Sequence, residues 1–277
     1  MKNIKLYIVL ILTSFSILSC EDVIDVNLDT ANPKLVIDAS IKWQKGETGN
    51  VQTINLSTTT DFYSNTIPPA TGATVSVINL SSDITIIYNF TETTPGTYVC
   101  TNFNPIINDE YQLTVVYAGE TYKATSKLMP TPVIEFDEQT MIPGFGGDEI
   151  VQVKFYFVDN GDEDNFYLVG AKNKNIVYPE YGVITDEFFQ GNMMFGVYID
   201  DKLKAGDVID YSLQGITEKY SNYMNKLLSI AGSDGGSPFS TPPATLRGNI
   251  VNQSNADNYP LGYFHLSEID TGSYTIE

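Results

Sequence analysis

Cysteine and histidine are nearly missing from this sequence, with two of the first and one of the second in 277 residues. That count excludes a disulfide framework, a cysteine-based metal site and a multi-histidine site. Basic side chains are scarce too, 15 against 34 acidic, for a formal net charge of −19. So acidic a surface repels phosphate backbones and anionic lipid, which argues against nucleic acid as a partner and against docking to a membrane through the protein surface. Long hydrophobic runs are also lacking. The most apolar stretch, Leu6 to Leu18, is interrupted by Tyr7, Thr13, Ser14 and Ser16, and is too short to span a bilayer permanently. No G-x-S-x-G elbow and no phosphate-binding glycine loop occurs.

What is present begins at the N-terminus. Lys2 and Lys5 precede the apolar run, and Ser19 and Cys20 close it, the pattern of a secretory signal over residues 1–19. The ending Ile17-Leu18-Ser19-Cys20 resembles a bacterial lipobox. That resemblance implies that Cys20 is acylated and becomes the first residue of the mature chain; a chance cysteine after an ordinary signal peptide is the alternative. Loss of Lys2 and Lys5 leaves 13 basic against 34 acidic side chains, a mature charge of −21. Membrane attachment then falls to acyl chains on Cys20, since several chains hold far better than one. Residues 20–33, acidic and without periodicity, read as a lipid-anchored tether.

The sequence as a whole is 42% apolar and 18% charged, a globular balance, with 18 Tyr and 14 Phe favouring strands. Lys34–Ile41, Val51–Ser57, Ala73–Asn79, Ile84–Phe90, Gly96–Asn102, Glu110–Tyr117 and Glu120–Lys127 read as strands separated by turn residues, among them Pro95-Gly96, Asn108-Asp109 and Ala118-Gly119. Seven short strands over 34–129 predict an immunoglobulin-like β-sandwich without its disulfide, in which the unpaired Cys100 is a small buried apolar group. Met129-Pro130-Thr131-Pro132 marks a boundary, because paired prolines cannot continue a central strand. A second β-rich domain over 133–277 is expected, with strands at Ile150–Val158, Phe166–Lys172, Asn192–Ile199, Val208–Gln214 and Leu261–Ser267. One helix is predicted at about 216–231. Ile216, Tyr220, Tyr223, Met224, Leu227, Leu228 and Ala231 share one face, with Gly215 before it and Gly232 as C-cap. Leu227 on that stripe is either core or part of a docking surface. The fold class is therefore all-β with one amphipathic helix.

Few constellations carry chemistry. Asp159-Asn160-Gly161-Asp162-Glu163-Asp164-Asn165 is dense in oxygen ligands but lacks EF-hand spacing, and reads as an exposed hairpin turn. His265 shares a strand face with Tyr263, and no nucleophile elbow accompanies it. No spacing picks out a glycosidase pair among the carboxylates. No catalytic, cofactor-binding or metal residues are assigned, and an enzyme is not expected; a hydrolase using acidic residues is the remote rival.

Several soft motifs fall in one order: the lipobox with acidic residues behind it, Pro33-Lys34-Leu35-Val36-Ile37, Tyr111-Gln112-Leu113-Thr114-Val115 before the proline junction, the amphipathic helix, Pro238-Phe239 to Pro243, and Gly262-Tyr263-Phe264. In that order the chain resembles Bacteroidota lipoproteins carrying the domain of unknown function 4249. The resemblance implies an outer-membrane lipoprotein often encoded beside a TonB-dependent receptor, and carries over only Cys20. It also implies that Glu21 and Asp22, directly behind the cysteine, act as a signal for export to the cell surface; their plainer reading is that of solvated tether residues. The expected role is a lipid-anchored accessory or binding subunit partnered with a TonB-dependent transporter in nutrient uptake, with a structural or adhesive surface lipoprotein as the alternative. Cys20→Ser is expected to abolish acylation and leave the protein soluble or uncleaved in the periplasm. Membrane fractions holding that variant at the wild-type level would end the lipoprotein reading.

Overall fold

Apolar and polar residues alternate through the first hundred residues of the folded part, and the strands follow that alternation. The computed structural model describes residues 32–61, 64–144, 147–174, 176–232 and 246–277. Seven strands come first: β1 (Leu35–Gln44), β2 (Gln52–Thr58), β3 (Thr74–Asn79), β4 (Ile87–Thr94), β5 (Thr97–Cys100), β6 (Glu110–Tyr117) and β7 (Glu120–Met129). In β6, Tyr111, Leu113 and Val115 are buried while Gln112, Thr114 and Val116 occupy the other face. The turn from β6 to β7 is Ala118-Gly119, with φ of 50° and 81°. Two positive φ values give the hairpin turn whose twist matches its strands, and glycine takes the second at no steric cost.

Beyond the prolines come β8 (Ile134–Pro143), β9 (Glu149–Val158), β10 (Phe166–Asn173), β11 (Glu180–Thr185), β12 (Met193–Asp200) and β13 (Val208–Ile216). Helix α1 (Glu218–Gly232), β14 (Val251–Asn252) and β15 (Leu261–Thr275) follow. β15 decides the architecture. Its first part pairs in parallel with β1, from Val36 opposite Leu261 to Gln44 opposite Ile269. Its second part pairs antiparallel with β13, and Leu266 and Ser267 meet Leu128 and Met129 of β7. These bonds close a ring of eight strands in the order β15-β1-β2-β5-β4-β3-β6-β7. The sandwich expected over 34–129 is thus corrected to a closed barrel, whose eighth strand comes from the far end of the sequence. Without it, β1 and β7 would be edges with unpaired backbone groups.

The barrel interior holds Ile37, Ile41, Ile54, Leu56, Tyr98 and Leu113, joined by Phe264 and Leu266 of β15. Cys100 is a free, buried thiol there. From β15 the sheet runs on through β13, β10 and β11, and a separate three-stranded sheet, β12-β9-β8, packs on this extension. Between the two, Phe155 stacks on Tyr211 at 4.6 Å and Phe157 meets Tyr167 edge-on at 5.0 Å. Asp159–Asn165 is not the hairpin turn expected of it, because β9 and β10 lie in different sheets and the segment crosses between them. Buried apolar residues before Pro130 gather in one cluster and most of those after Pro132 in two others. Even so, Pro33–Glu277 forms one compact unit rather than two separate ones, since β15 belongs to both halves.

At the junction four segments meet. Thr131 donates from its backbone N to Glu268 Oε2 at 3.0 Å and from its hydroxyl to the Glu268 carbonyl at 2.5 Å. Gly215 N donates to Thr131 Oγ1 at 2.6 Å, and Lys45 Nζ pairs with Glu268 Oε2 at 2.7 Å. A Cβ on Gly215 would stand 1.8 Å from the Pro130 carbonyl oxygen, so only glycine lets the chains cross here. Gly215→Ala is expected to destabilise the protein by roughly 1–3 kcal/mol, because the clashing atom is backbone and cannot swing aside. A urea midpoint equal to wild type would contradict this close approach.

Candidate functional site

The helix lies over the face of the sheet opposite the two cores just described. Thr217 caps it, its hydroxyl accepting from Tyr220 N at 3.2 Å, so α1 starts two residues later than its apolar stripe does and Ile216 belongs to β13. Tyr220 and Met224 are buried against Leu168, Ile216 and Tyr263. Leu227, in contrast, is 36% exposed. The stripe is sunk for its first turns and then emerges at a rim.

Under that rim is a cleft of about 330 Å³. Its floor comes from four strands: Asp38, Ser40 and Lys42 of β1, Tyr263 and His265 of β15, Gln214 of β13 and Leu168 of β10. Tyr220, Tyr223, Met224 and Leu227 of α1 form one side, and Tyr181 of β11 another. Period-two alternation puts β1 and β15 residues here, since Ile37, Ile41, Phe264 and Leu266 point into the barrel instead. The expectation that His265 shares a face with Tyr263 holds, and both line the cleft. His265 stacks on Tyr220 with ring centroids 3.9 Å apart, and Tyr263 packs at 4.8 Å from Tyr220 and 4.7 Å from Tyr223. Gln214 is 1% exposed, and its Oε1 has no hydrogen-bond partner among the described residues.

The other candidates divide. Asp159 is buried, accepting from the Tyr167 hydroxyl at 2.6 Å and from Gly191 N at 2.9 Å, so its oxygens serve the fold. Among the described residues no group of three or more His, Cys, Asp or Glu is placed to hold a metal. Ser267 Oγ lies 3.4 Å from His265 Nδ1, but Ser267 is fully buried and is not among the residues that line the cleft. Cys20, Glu21 and Asp22 lie outside the described residues, as does Pro238–Pro243. No helix among the described residues is long and apolar enough to cross a membrane.

A family model of a domain of unknown function, DUF4249, matches residues 21–273, which takes in the barrel, the cleft and all of α1. This chain belongs to the DUF4249 family. No curated protein matches it. Among solved structures, a segment of two fibronectin type III domains from chicken tenascin is 10% identical, over 67% of this chain and 91% of that one, with a TM-score of 0.22. The FN1–FN3 domains of chicken CNTN1 are likewise 10% identical over 67% of this chain and 60% of theirs, with a TM-score of 0.21.

A second surface of the DUF4249 chain stands out. On the outward side of the three-stranded sheet, Met193, Phe195, Val197 and Ile199 of β12 are all exposed by 42–47%. Phe136 of β8 stacks on Tyr156 of β9 at 4.5 Å, Tyr156 meets Phe195 at 5.6 Å, and Lys154 Nζ sits 4.8 Å over the Phe195 ring. Soluble monomers seldom leave an aromatic sheet face of this kind open.

Burial controls the protonation of the cleft. It raises the phenol of Tyr263 to about 12, and raises those of Tyr181, Tyr220 and Tyr223, with the Asp38 carboxylate adding to the rise in these three. The phenols therefore stay neutral and able to donate. Burial lowers His265 from its ordinary 6.5 to about 3, helped by the Lys42 charge. Its imidazole is neutral in the folded protein and charged in the acid-unfolded chain. Stability from this group is thus complete above about pH 6.5 and falls toward pH 3, by up to about 1.4 kcal/mol per pH unit. Thermal melts between pH 7.5 and 4 are expected to drop more steeply for wild type than for His265→Gln. Parallel curves would refute the neutral buried histidine.

Proposed function

We propose that this DUF4249 chain is a lipid-anchored accessory or binding subunit of the outer membrane, displayed at the cell surface and working with a TonB-dependent transporter in nutrient uptake. The observation that carries the binding role is the cleft under α1, where polar side chains from four elements converge beneath a helix with a tyrosine-rich face. Concave sites with a few convergent polar groups among aromatic walls are the usual form of small-molecule sites. Its chemistry is that of holding rather than turning over. His265 is stacked and uncharged, and the hydroxyl of Ser40, its register partner on β1, donates to Asp38 rather than to the imidazole.

The partner role draws on the aromatic face of β8, β9 and β12. A transporter held at the same membrane by its own barrel is the occupant this reading assigns to it, with Glu138 and Lys154 as polar groups among the rings. The anchor is Cys20, and Glu21 and Asp22 behind it are the export signal. Two measurements test this. Tagged protein drawn from detergent-solubilised membranes is expected to bring down a large β-barrel in equal amount, and Phe195→Glu to lose that partner while melting at the wild-type temperature. Recovery of the chain alone favours the structural or adhesive reading. Proteinase added to intact cells is expected to digest the domain from Lys34 onward while a periplasmic control survives; full protection denies surface display.

A further inference from the structure

We propose that the cleft beneath α1 takes a neutral carbohydrate of one or two rings, and that Gln214 is the buried group that reads it. This rests on the binding-subunit reading of the same cleft and names its ligand class. The first ground is Gln214 itself. A side-chain amide with 1% exposure and an Oε1 without a partner among the described residues is an acceptor left unanswered, and buried acceptors are nearly always paired. It lies in the cleft lining, so a hydroxyl entering there provides the missing donor.

The second ground is the row along β1. Asp38, Ser40 and Lys42 project onto one face at alternate positions, presenting a carboxylate, a hydroxyl and an ammonium in line. Opposite charges at the two ends of the row leave little net preference for an ion. Acceptor, hydroxyl and donor in succession suit a ligand whose every polar group both donates and accepts, as a sugar hydroxyl does. Asp38 already accepts from Ser40 Oγ at 2.9 Å, which leaves its other oxygen open.

The third ground is the aromatic wall, which separates this class from an organic cation. A cage for a quaternary amine needs open ring faces. Here Tyr220 is stacked on His265 at 3.9 Å, and Tyr223 and Tyr263 are packed together at 4.7 Å. What remains is the half-buried ring of Tyr181, suited to the C–H face of a pyranose, with the neutral phenols of Tyr181 and Tyr223 as further donors. At about 330 Å³ the cleft is near the lower bound of small-molecule sites, which fits a mono- or disaccharide.

The test uses the full chain purified in detergent and calorimetric titration with neutral mono- and disaccharides of glucose, galactose, mannose and xylose, with tetramethylammonium as the cationic probe. At least one saccharide is expected to bind at one site per chain. Gln214→Leu is expected to weaken that binding by at least about tenfold while raising the melting temperature, because it removes an unpaired buried acceptor. Asp38→Ala, at an exposed position of the β1 row, is expected to weaken it several-fold with no change in melting. Three results overturn the proposal: no saccharide bound at about 10 mM, saccharide affinity untouched in Gln214→Leu, or tetramethylammonium bound in preference. A chain that co-purifies with a transporter yet binds no saccharide sinks this assignment and leaves the subunit reading standing. One that binds saccharide but is recovered alone does the reverse.

Discussion

Everything in this fold depends on β15 lying in one register. The Glu268 carboxylate holds it, taking the Thr131 backbone N–H and the Lys45 ammonium at once, while Thr131 in turn receives the amide of Gly215. Through those contacts the end of β1, the proline junction and the end of β13 are tied to a single point on β15. A shift of one residue would reverse every side chain of the strand. Phe264 and Leu266 would leave the barrel, Tyr263 and His265 would enter it, and an imidazole would stand in an apolar interior. The ion pair is only partly shielded, so its value here is positional more than energetic.

The same strand explains what could and could not be read in the sequence. The seven strands of the first half were legible because each has one face in the barrel and one toward solvent, as Gln112, Thr114 and Val116 against Leu113 and Val115 illustrate. Barrel closure was not legible, since it rests on pairing between residues more than 200 positions apart, such as Val36 and Leu261. β8 is hidden in the sequence because Glu135, Asp137, Glu138 and Gln139 break any apolar period, and its outer face carries Phe136 without cover. The stripe marks the helix but begins in β13, and Thr217 is the capping signal that sets the true start. Of the cleft, the shared face of Tyr263 and His265 was readable from alternation. Gln214 and Asp38 were not, because nothing local distinguishes a polar residue under a helix from one in solvent.

The cleft and the aromatic sheet face lie on different elements and ask for different chemistry. One is small, partly polar and floored by the strands that the junction holds in place, so its geometry is as firm as the barrel's. The other is broad, apolar and made by two edge strands with one between. Because the two surfaces share no element, filling one would leave the other free.

Parallel pairing of β1 with β15 has a consequence for the order of assembly. A parallel neighbour cannot be reached by a tight turn, and here the connection between the two strands is most of the domain. While the chain emerges N-terminus first, β1 to β7 can find one another but must wait with two open edges until the last strand arrives. Such non-local topologies form slowly, and open edges in waiting invite pairing with other chains. The half-made barrel is therefore the state in which this protein is most exposed to its neighbours, and a truncation removing only 261–275 would leave the chain in it for good.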